Sequence, residues 1–173
     1  MDYLFTLKYQ LPEQERDLDA LVERLGAAGC DDALVGIGLP GRLALEFNRE
    51  AQSGEAAMLS ALQDVKRVIP TARLVEAAPD LVGLSDIAEF VGVSRQNMRK
   101  LMLAHPDSFP LAMHEGSTSL WHLVAVLEWL QSRGGYAIAP ALLEVARATR
   151  QVNQARAASS DAALKPELMA LFG

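Results

Sequence analysis

Only one cysteine, Cys30, occurs among the 173 residues. A lone thiol closes no internal disulfide and builds no cysteine-ligated zinc site, and it favours a reducing compartment. No run of about 18 apolar residues is present, so no membrane span is expected. The opening MDYLFTLKYQ lacks the continuous apolar core of a secretion signal. These absences together set the expectation of a cytoplasmic protein. An excess of positive charge is also missing, the net charge being −6. That argues against unselective coating of nucleic acid, whose affinity comes from phosphate attraction. His105, His114 and His122 form no i, i+4 pair and have no cysteine or acid cluster at ligand spacing beside them. Gly36, Gly38 and Gly41 have GxGxxG spacing, but the run leads into a strand and not a helix, and a hairpin accounts for them. No nucleophile elbow is present. An enzyme, a cofactor and a metal site are therefore not expected.

What is there supports a folded core. Half of the residues are hydrophobic and 22% are charged, a balance that excludes wholesale disorder. The length suits one large domain or two small ones. Residues 3–11 alternate, with Tyr3, Phe5, Leu7, Tyr9 and Leu11 on one side; this predicts a strand with one buried face, ended by Pro12. Residues 14–28 change to helical spacing, with Leu18, Leu21, Val22 and Leu25 as the apolar stripe. Residues 33–38 and 42–48 predict a hairpin turning at Leu39-Pro40-Gly41. Residues 53–69 predict a helix capped by Ser53, with Ala56 or Ala57, Leu59, Leu62, Val65 and Ile69 inside. Residues 72–76 read as a last short strand. The order β-α-β-β-α-β predicts a ferredoxin-like domain: a four-stranded antiparallel sheet with two helices on one face, closing its own core.

Ala77-Ala78-Pro79-Asp80 reads as a connector. Beyond it the spacing predicts helices over 84–91, 94–105, 123–133 and 139–158, and a hairpin over 110–121 turning at His114-Glu115-Gly116-Ser117. Charge is uneven across this boundary. Residues 1–79 hold eight Lys/Arg against thirteen Asp/Glu, a balance of −5, and residues 80–173 hold eight against nine, a balance of −1. Residues 94–105 carry Arg95, Arg99 and Lys100 and no acid.

The informative segment is LSDIAEFVGVSRQNMRKL at 84–101. Ser85 is placed to cap the first helix, and Ile87, Ala88 and Val91 give it an apolar face. Gly92 supplies the backbone freedom for a turn. Val93 fills the space between the helices, Ser94 caps the second, and Met98 and Leu101 anchor it. This leaves Arg95, Gln96, Asn97, Arg99 and Lys100 at the start and outer side of the second helix. A recognition helix reads the major groove with its N-terminal residues. Arg pairs with guanine and Asn or Gln with adenine, through two hydrogen bonds to the base edge. Arg99 and Lys100 equally suit phosphates. The competing reading is a helical hairpin in a protein-interaction domain, its charged face merely solvated. His105 falls at the end of the helix, where positive charge suits the dipole. Trp121 and Trp129 are expected in a core with Leu123, Val126, Leu127 and Leu130.

Residues 81–133 resemble the winged helix-turn-helix of MerR-type and excisionase-type regulators. The matching pieces are LVGLSDIAEFVGVSRQNMRKLM, FP at 109–110 and LWHLVAVLEWLQSRG at 120–134. The resemblance covers under a third of the chain. It implies binding of double-stranded DNA by helix and wing, usually as a dimer. Wings of this kind often carry Arg or Lys, whereas His114-Glu115-Gly116-Ser117-Thr118-Ser119 has neither. Ser117 and Thr118 suit phosphates, and Glu115 would be repelled.

The fold expected is therefore α+β. A ferredoxin-like βαββαβ domain spans 1–78, a mainly helical winged helix-turn-helix domain 79–138, and a long C-terminal helix with its tail 139–173. The function expected is that of a sequence-specific transcriptional regulator, a repressor by preference. Candidate DNA-binding residues are Ser94, Arg95, Gln96, Asn97, Arg99, Lys100, Ser117 and Thr118. A homodimer is expected, with the apolar side of 139–158 (Leu142, Leu143, Val145, Ala146, Thr149, Val152) as its seam. The first domain is left three roles: sensing a small effector, self-association, or holding a partner protein as an antitoxin does.

Overall fold

Tyr3, Phe5, Leu7 and Tyr9 alternate through β1 (Asp2–Gln10), and all four are buried on one face. The computed structural model describes residues 1–36, 38–159 and 164–172. β1 pairs antiparallel with β3 (Arg42–Glu50) on one side and with β4 (Arg73–Ala78) on the other. β2 (Ala33–Gly36) lies outside β3, so the sheet runs β2-β3-β1-β4. The strand expected over 33–38 ends at Gly36, and Ile37 lies outside the described residues. In β3 the same alternation buries Leu43, Leu45 and Phe47. Phe47 stacks on its cross-strand partner Phe5 at 5.2 Å.

The two expected helices form, with different faces inward. α1 (Leu18–Ala27) starts at Asp17, whose carboxylate accepts from Ala20 N. Leu21 and Leu25 are buried, but Val22 is exposed. α2 (Gly54–Val68) starts at Ser53 as expected, its hydroxyl accepting from Ala56 N at 3.1 Å. It buries Ala57, Met58, Ala61, Val65 and Val68, and leaves Leu59 exposed. α2 touches both the sheet and a further helix, so it buries small residues that a two-layer arrangement would not.

That further helix is α6 (Pro140–Ala158), and it corrects two expectations. Val145 and Ala148 belong to the core under the first sheet, while Leu143 and Ala146 belong to a second core. The apolar side expected as a dimer seam is thus covered within the chain. Nor do residues 1–78 close their own core, because α6 lies beside α2 and completes it. Gly54 permits this approach, since a Cβ there would stand 2.9 Å from the Glu144 backbone carbon. Gly54 N donates to Glu144 Oε2 at 2.8 Å, and Tyr3 Oη donates to the same oxygen at 2.9 Å.

These two bonds, the backbone one first, hold the Glu144 carboxyl below the ordinary carboxylate range. Burial, then the bond to Glu144, pushes the Tyr3 hydroxyl up. A carboxyl lowered in the folded state stabilises fully above its unfolded value of about 4.3, and that contribution is lost as pH falls through the folded value. Urea midpoints followed by circular dichroism are therefore expected to drop more steeply from about pH 5 to pH 3 in the wild type than in Glu144→Gln. Parallel curves would show that the carboxylate does not clamp α6.

The connector is held rather than free. Ala77 N donates to Asn153 Oδ1 and Asn153 Nδ2 to Ala77 O, both at 2.8 Å, and Thr149 Oγ1 donates to Pro79 O at 2.6 Å. Asp80 is 3% exposed. Its carboxylate meets His122 Nδ1 at 2.7 Å and accepts from Asn153 Nδ2 at 2.8 Å. Residues 77–80 therefore join the two parts rigidly, β4 including Ala77 and Ala78. Of the expected tail, residues 160–163 and 173 lie outside the described residues, and α7 (Pro166–Met169) is exposed. Among the described residues no helix is long and apolar enough to cross a membrane.

Candidate nucleic-acid interface

α3 (Leu84–Val91) and α4 (Arg95–Ala104) form the predicted helix pair. Its start differs from expectation. Gly83, not Ser85, is the N-cap, and Gly83 N donates to Asp86 Oδ2 at 3.1 Å. The carboxylate at the third helical position reaches back, so the chain enters the helix two residues earlier. α3 ends at Gly92, whose φ of 73° and ψ of 30° is the left-handed conformation that favours glycine. Val93 N then donates to Ala88 O at 2.9 Å. Ser94 is extended, and its hydroxyl accepts from Asn97 N at 3.1 Å. That hydroxyl is committed to the cap, so Ser94 sets where the helix begins.

Burial orients α4. Met98 is fully buried with Ile87 and Ala88, and Leu101 packs partly against the same core. The floor is α5 (Leu123–Arg133), through Leu123, Val126, Leu127 and Leu130. Phe109 meets Trp129 edge-on at 5.0 Å and Trp121 at 6.3 Å, and Trp121 Nε1 donates to Pro110 O at 3.1 Å. The His105 ring closes α4 at 5.8 Å from Trp129.

The hairpin expected over 110–121 is reduced to a single antiparallel bridge, His114 with Leu120. The following residues, β6 (Trp121–His122), pair instead with β5 (Leu81–Val82). Residues 115–119 are thereby left as a loop, and it leans toward α4.

Arg95 and Arg99 line a cleft of about 400 Å³ with Ser117, Thr118, Ser119 and Ser85. The structure thus brings together four of the predicted residues from two elements. Gln96 and Lys100 lie on the side of α4 opposite Met98, by the helical turn of about 100° per residue, and Asn97 is on the flank away from the cleft. All five polar residues from Arg95 to Lys100 are exposed. Among the described residues no ion pair engages Arg95, Arg99 or Lys100. Asp86 also lines the cleft, with one carboxylate oxygen taken by Gly83 N.

Sequence reading does not place Ser85 and Ser119 in the lining of this cleft, where the structure has them. Ser85 had been assigned to capping, a role the Asp86 carboxylate takes. Ser119 carried no signal, because only the register of the His114–Leu120 bridge places it. No family model matches the chain, and no curated protein or solved structure matches it significantly.

Proposed function

We propose that the chain is a sequence-specific double-stranded DNA-binding transcriptional regulator, a repressor, with α4 as its recognition helix. The observation that carries this reading is the single cleft shared by Arg95 and Arg99 with Ser117 and Thr118. Helix start and loop converge there, as in a winged helix-turn-helix of MerR or excisionase type. Three cations on one helix that make no ion pair among the described residues, in a chain with net charge −6, suit an anionic partner outside the chain. Arg95 reads guanine, and Gln96 and Asn97 read adenine edges. Arg99, Lys100, Ser117 and Thr118 hold the phosphates. The strand order β2-β3-β1-β4 supports reading the first unit as ferredoxin-like.

The working unit is a homodimer on an inverted repeat, since one module buries only about 600–1,000 Å² on DNA and a twofold protein matches a twofold site. With α6 covered, the seam falls to the open sheet face, where Leu4 is 60% and Leu34 73% exposed. The same exposed leucines favour the alternative, an antitoxin-like interaction module whose first unit holds a partner protein.

Footprinting on genomic fragments separates the two. Protection of a defined site is expected, and Arg95→Ala should cost about 1–3 kcal/mol and relax selectivity at one base pair. Lys100→Ala should weaken all sites alike and reduce the salt slope by about one. Binding that shows no sequence preference at moderate salt would leave only the interaction module.

A further inference from the structure

We propose that the first unit binds a small polyphosphate in an arginine-lined cleft at one end of its sheet. The site is separate from α4, and it gives the effector-sensing role of this unit a location and a ligand chemistry.

The cleft begins with strand register. Gln10 is the cross-strand partner of both Arg42 on β3 and Arg73 on β4. Directly opposed residues share a face, so Arg42, Gln10 and Arg73 form one row across the open face. Neighbouring strands lie about 4.8 Å apart, which sets the two arginine backbones about 10 Å from each other. A third guanidinium comes from the end of α6, where Arg156 Nε donates to Leu74 O at 2.7 Å. A fourth stands close by. A Cβ on Gly41 would meet the Arg16 guanidinium carbon at 3.0 Å and Gln10 Nε2 at 3.1 Å.

Among the described residues no carboxylate is paired with this group: none of Arg16, Arg42, Arg73 and Arg156 makes an ion pair. The next row along the strands holds Glu76, but Lys8 Nζ already meets it at 3.1 Å. Like charges gathered on one face repel. Three of the four belong to the more acidic part of the chain, residues 1–79, whose balance is −5.

Between them lies a cleft of about 870 Å³ lined by Gln10, Arg42, Arg73, Leu74, Arg156 and Ser159. Small-ligand sites commonly enclose about 300–1,000 Å³. Four guanidinium groups offer more donor forks than one carboxylate can fill, whereas linked phosphates present many oxygens along a chain. The guanidinium fork pairs with phosphate oxygens two at a time. Leu74 and Val75 line the cleft with aliphatic surface and no aromatic ring is in its lining, so the phosphate chain is the recognised part.

Calorimetric titration of inorganic tripolyphosphate into the full chain tests this without DNA, so the outcome is independent of the regulator reading. Saturable one-to-one binding is expected. Arg42→Gln/Arg73→Gln should weaken it about tenfold or more, with an unchanged thermal melt, and Arg42→Lys/Arg73→Lys should recover part of it. Arg95→Gln should leave it unchanged. ATP and GTP titrated in parallel identify the source. Equal affinities mean the phosphate chain alone suffices, and tighter nucleotide binding that still needs Arg42 and Arg73 makes a nucleotide the ligand. Absence of tripolyphosphate binding, or the same affinity in the glutamine variant, overturns the proposal. So does a glutamine variant that loses duplex DNA while the wild type ignores tripolyphosphate, because the arginines would then belong to a DNA interface.

Discussion

A chain ending at Ile138 is expected to lose cooperative folding, not merely a dimer contact. Deleting 139–173 removes α6, which supplies Val145 and Ala148 to one core and Leu143 and Ala146 to the other. It also strips polar groups of their partners. Asn153 bonds both backbone atoms of Ala77 and the Asp80 carboxylate, and Glu144 receives Gly54 N and Tyr3 Oη. Asp80, 3% exposed, would keep His122 and lose Asn153. Each large buried aliphatic contributes about 1.5–3 kcal/mol, and each orphaned buried polar group costs about 1–3 kcal/mol. A domain has about 5–15 kcal/mol of net stability, so losses on two cores exceed what it can absorb. Urea titration followed by circular dichroism reads the outcome. A sigmoidal transition in 1–138 near the full-length midpoint would show that α6 is an appendage.

Arg49→Met should destabilise the fold by about 3–5 kcal/mol, the usual penalty for breaking a buried ion pair from one side. Arg49 lies on β3 in the phase that otherwise buries Leu43, Leu45 and Phe47, and it is 8% exposed. Its guanidinium takes Asp32 with both ends of the fork, at 2.7 and 3.0 Å. Nη1 also donates to Asp64 Oδ2 at 2.8 Å and to Ser60 Oγ at 3.1 Å, while Nη2 donates to Gly29 O at 2.8 Å. The Phe47 ring lies 5.0 Å from the guanidinium carbon. The bond to Asp32 first, against the cost of burial, raises the guanidinium above its ordinary value. The neighbouring Cys30 thiol is pushed up to about 11, by burial first and then by Asp64.

Methionine fills the stem's space but leaves Asp32 without its cation, and Asp64 keeps only the exposed Arg67 at 3.1 Å. Thermal and urea melts of Arg49→Met, and of the same change with Asp32→Asn and Asp64→Asn, check the cause. The added changes should restore much of the loss, because replacing a buried charged group whole is close to neutral. A loss under about 1 kcal/mol for Arg49→Met, the size expected of an exposed pair, would contradict the account.

Sequence spacing was enough for the local elements. The alternation from Tyr3 to Tyr9 identified β1 and its buried face, and its phase carried into Leu43, Leu45 and Phe47. Residues 84–91 and 123–133 match α3 and α5 to the residue, although Gly83 and not Ser85 caps α3, because apolar spacing and the glycines that end both helices act locally. Arg95, Gln96, Asn97, Arg99 and Lys100 were legible as an exposed polar set for the same reason: Met98 and Leu101 fix which side of the helix faces inward.

The partner of each face was not legible. The α2 stripe was legible in part: Ala57, Val65 and Ile69 are buried as expected, but Ala61 looks weak beside Leu59 until a helix packs against it. Arg49 gave no signal, because Asp32 and Asp64 come from separate elements and meet it only when β3, α2 and the loop before β2 assemble. Trp121 and His122 pair with Leu81 and Val82 across about forty residues, a register no local turn dictates. In α6 the apolar residues run around more than one side, from Leu143 to Val145, Ala146 and Ala148. Read as a sequence, that is a broad face awaiting a second chain. In the folded protein it is two faces, one for each core. A helical period records which side avoids water, whereas what covers that side is decided by long-range packing among all the elements at once.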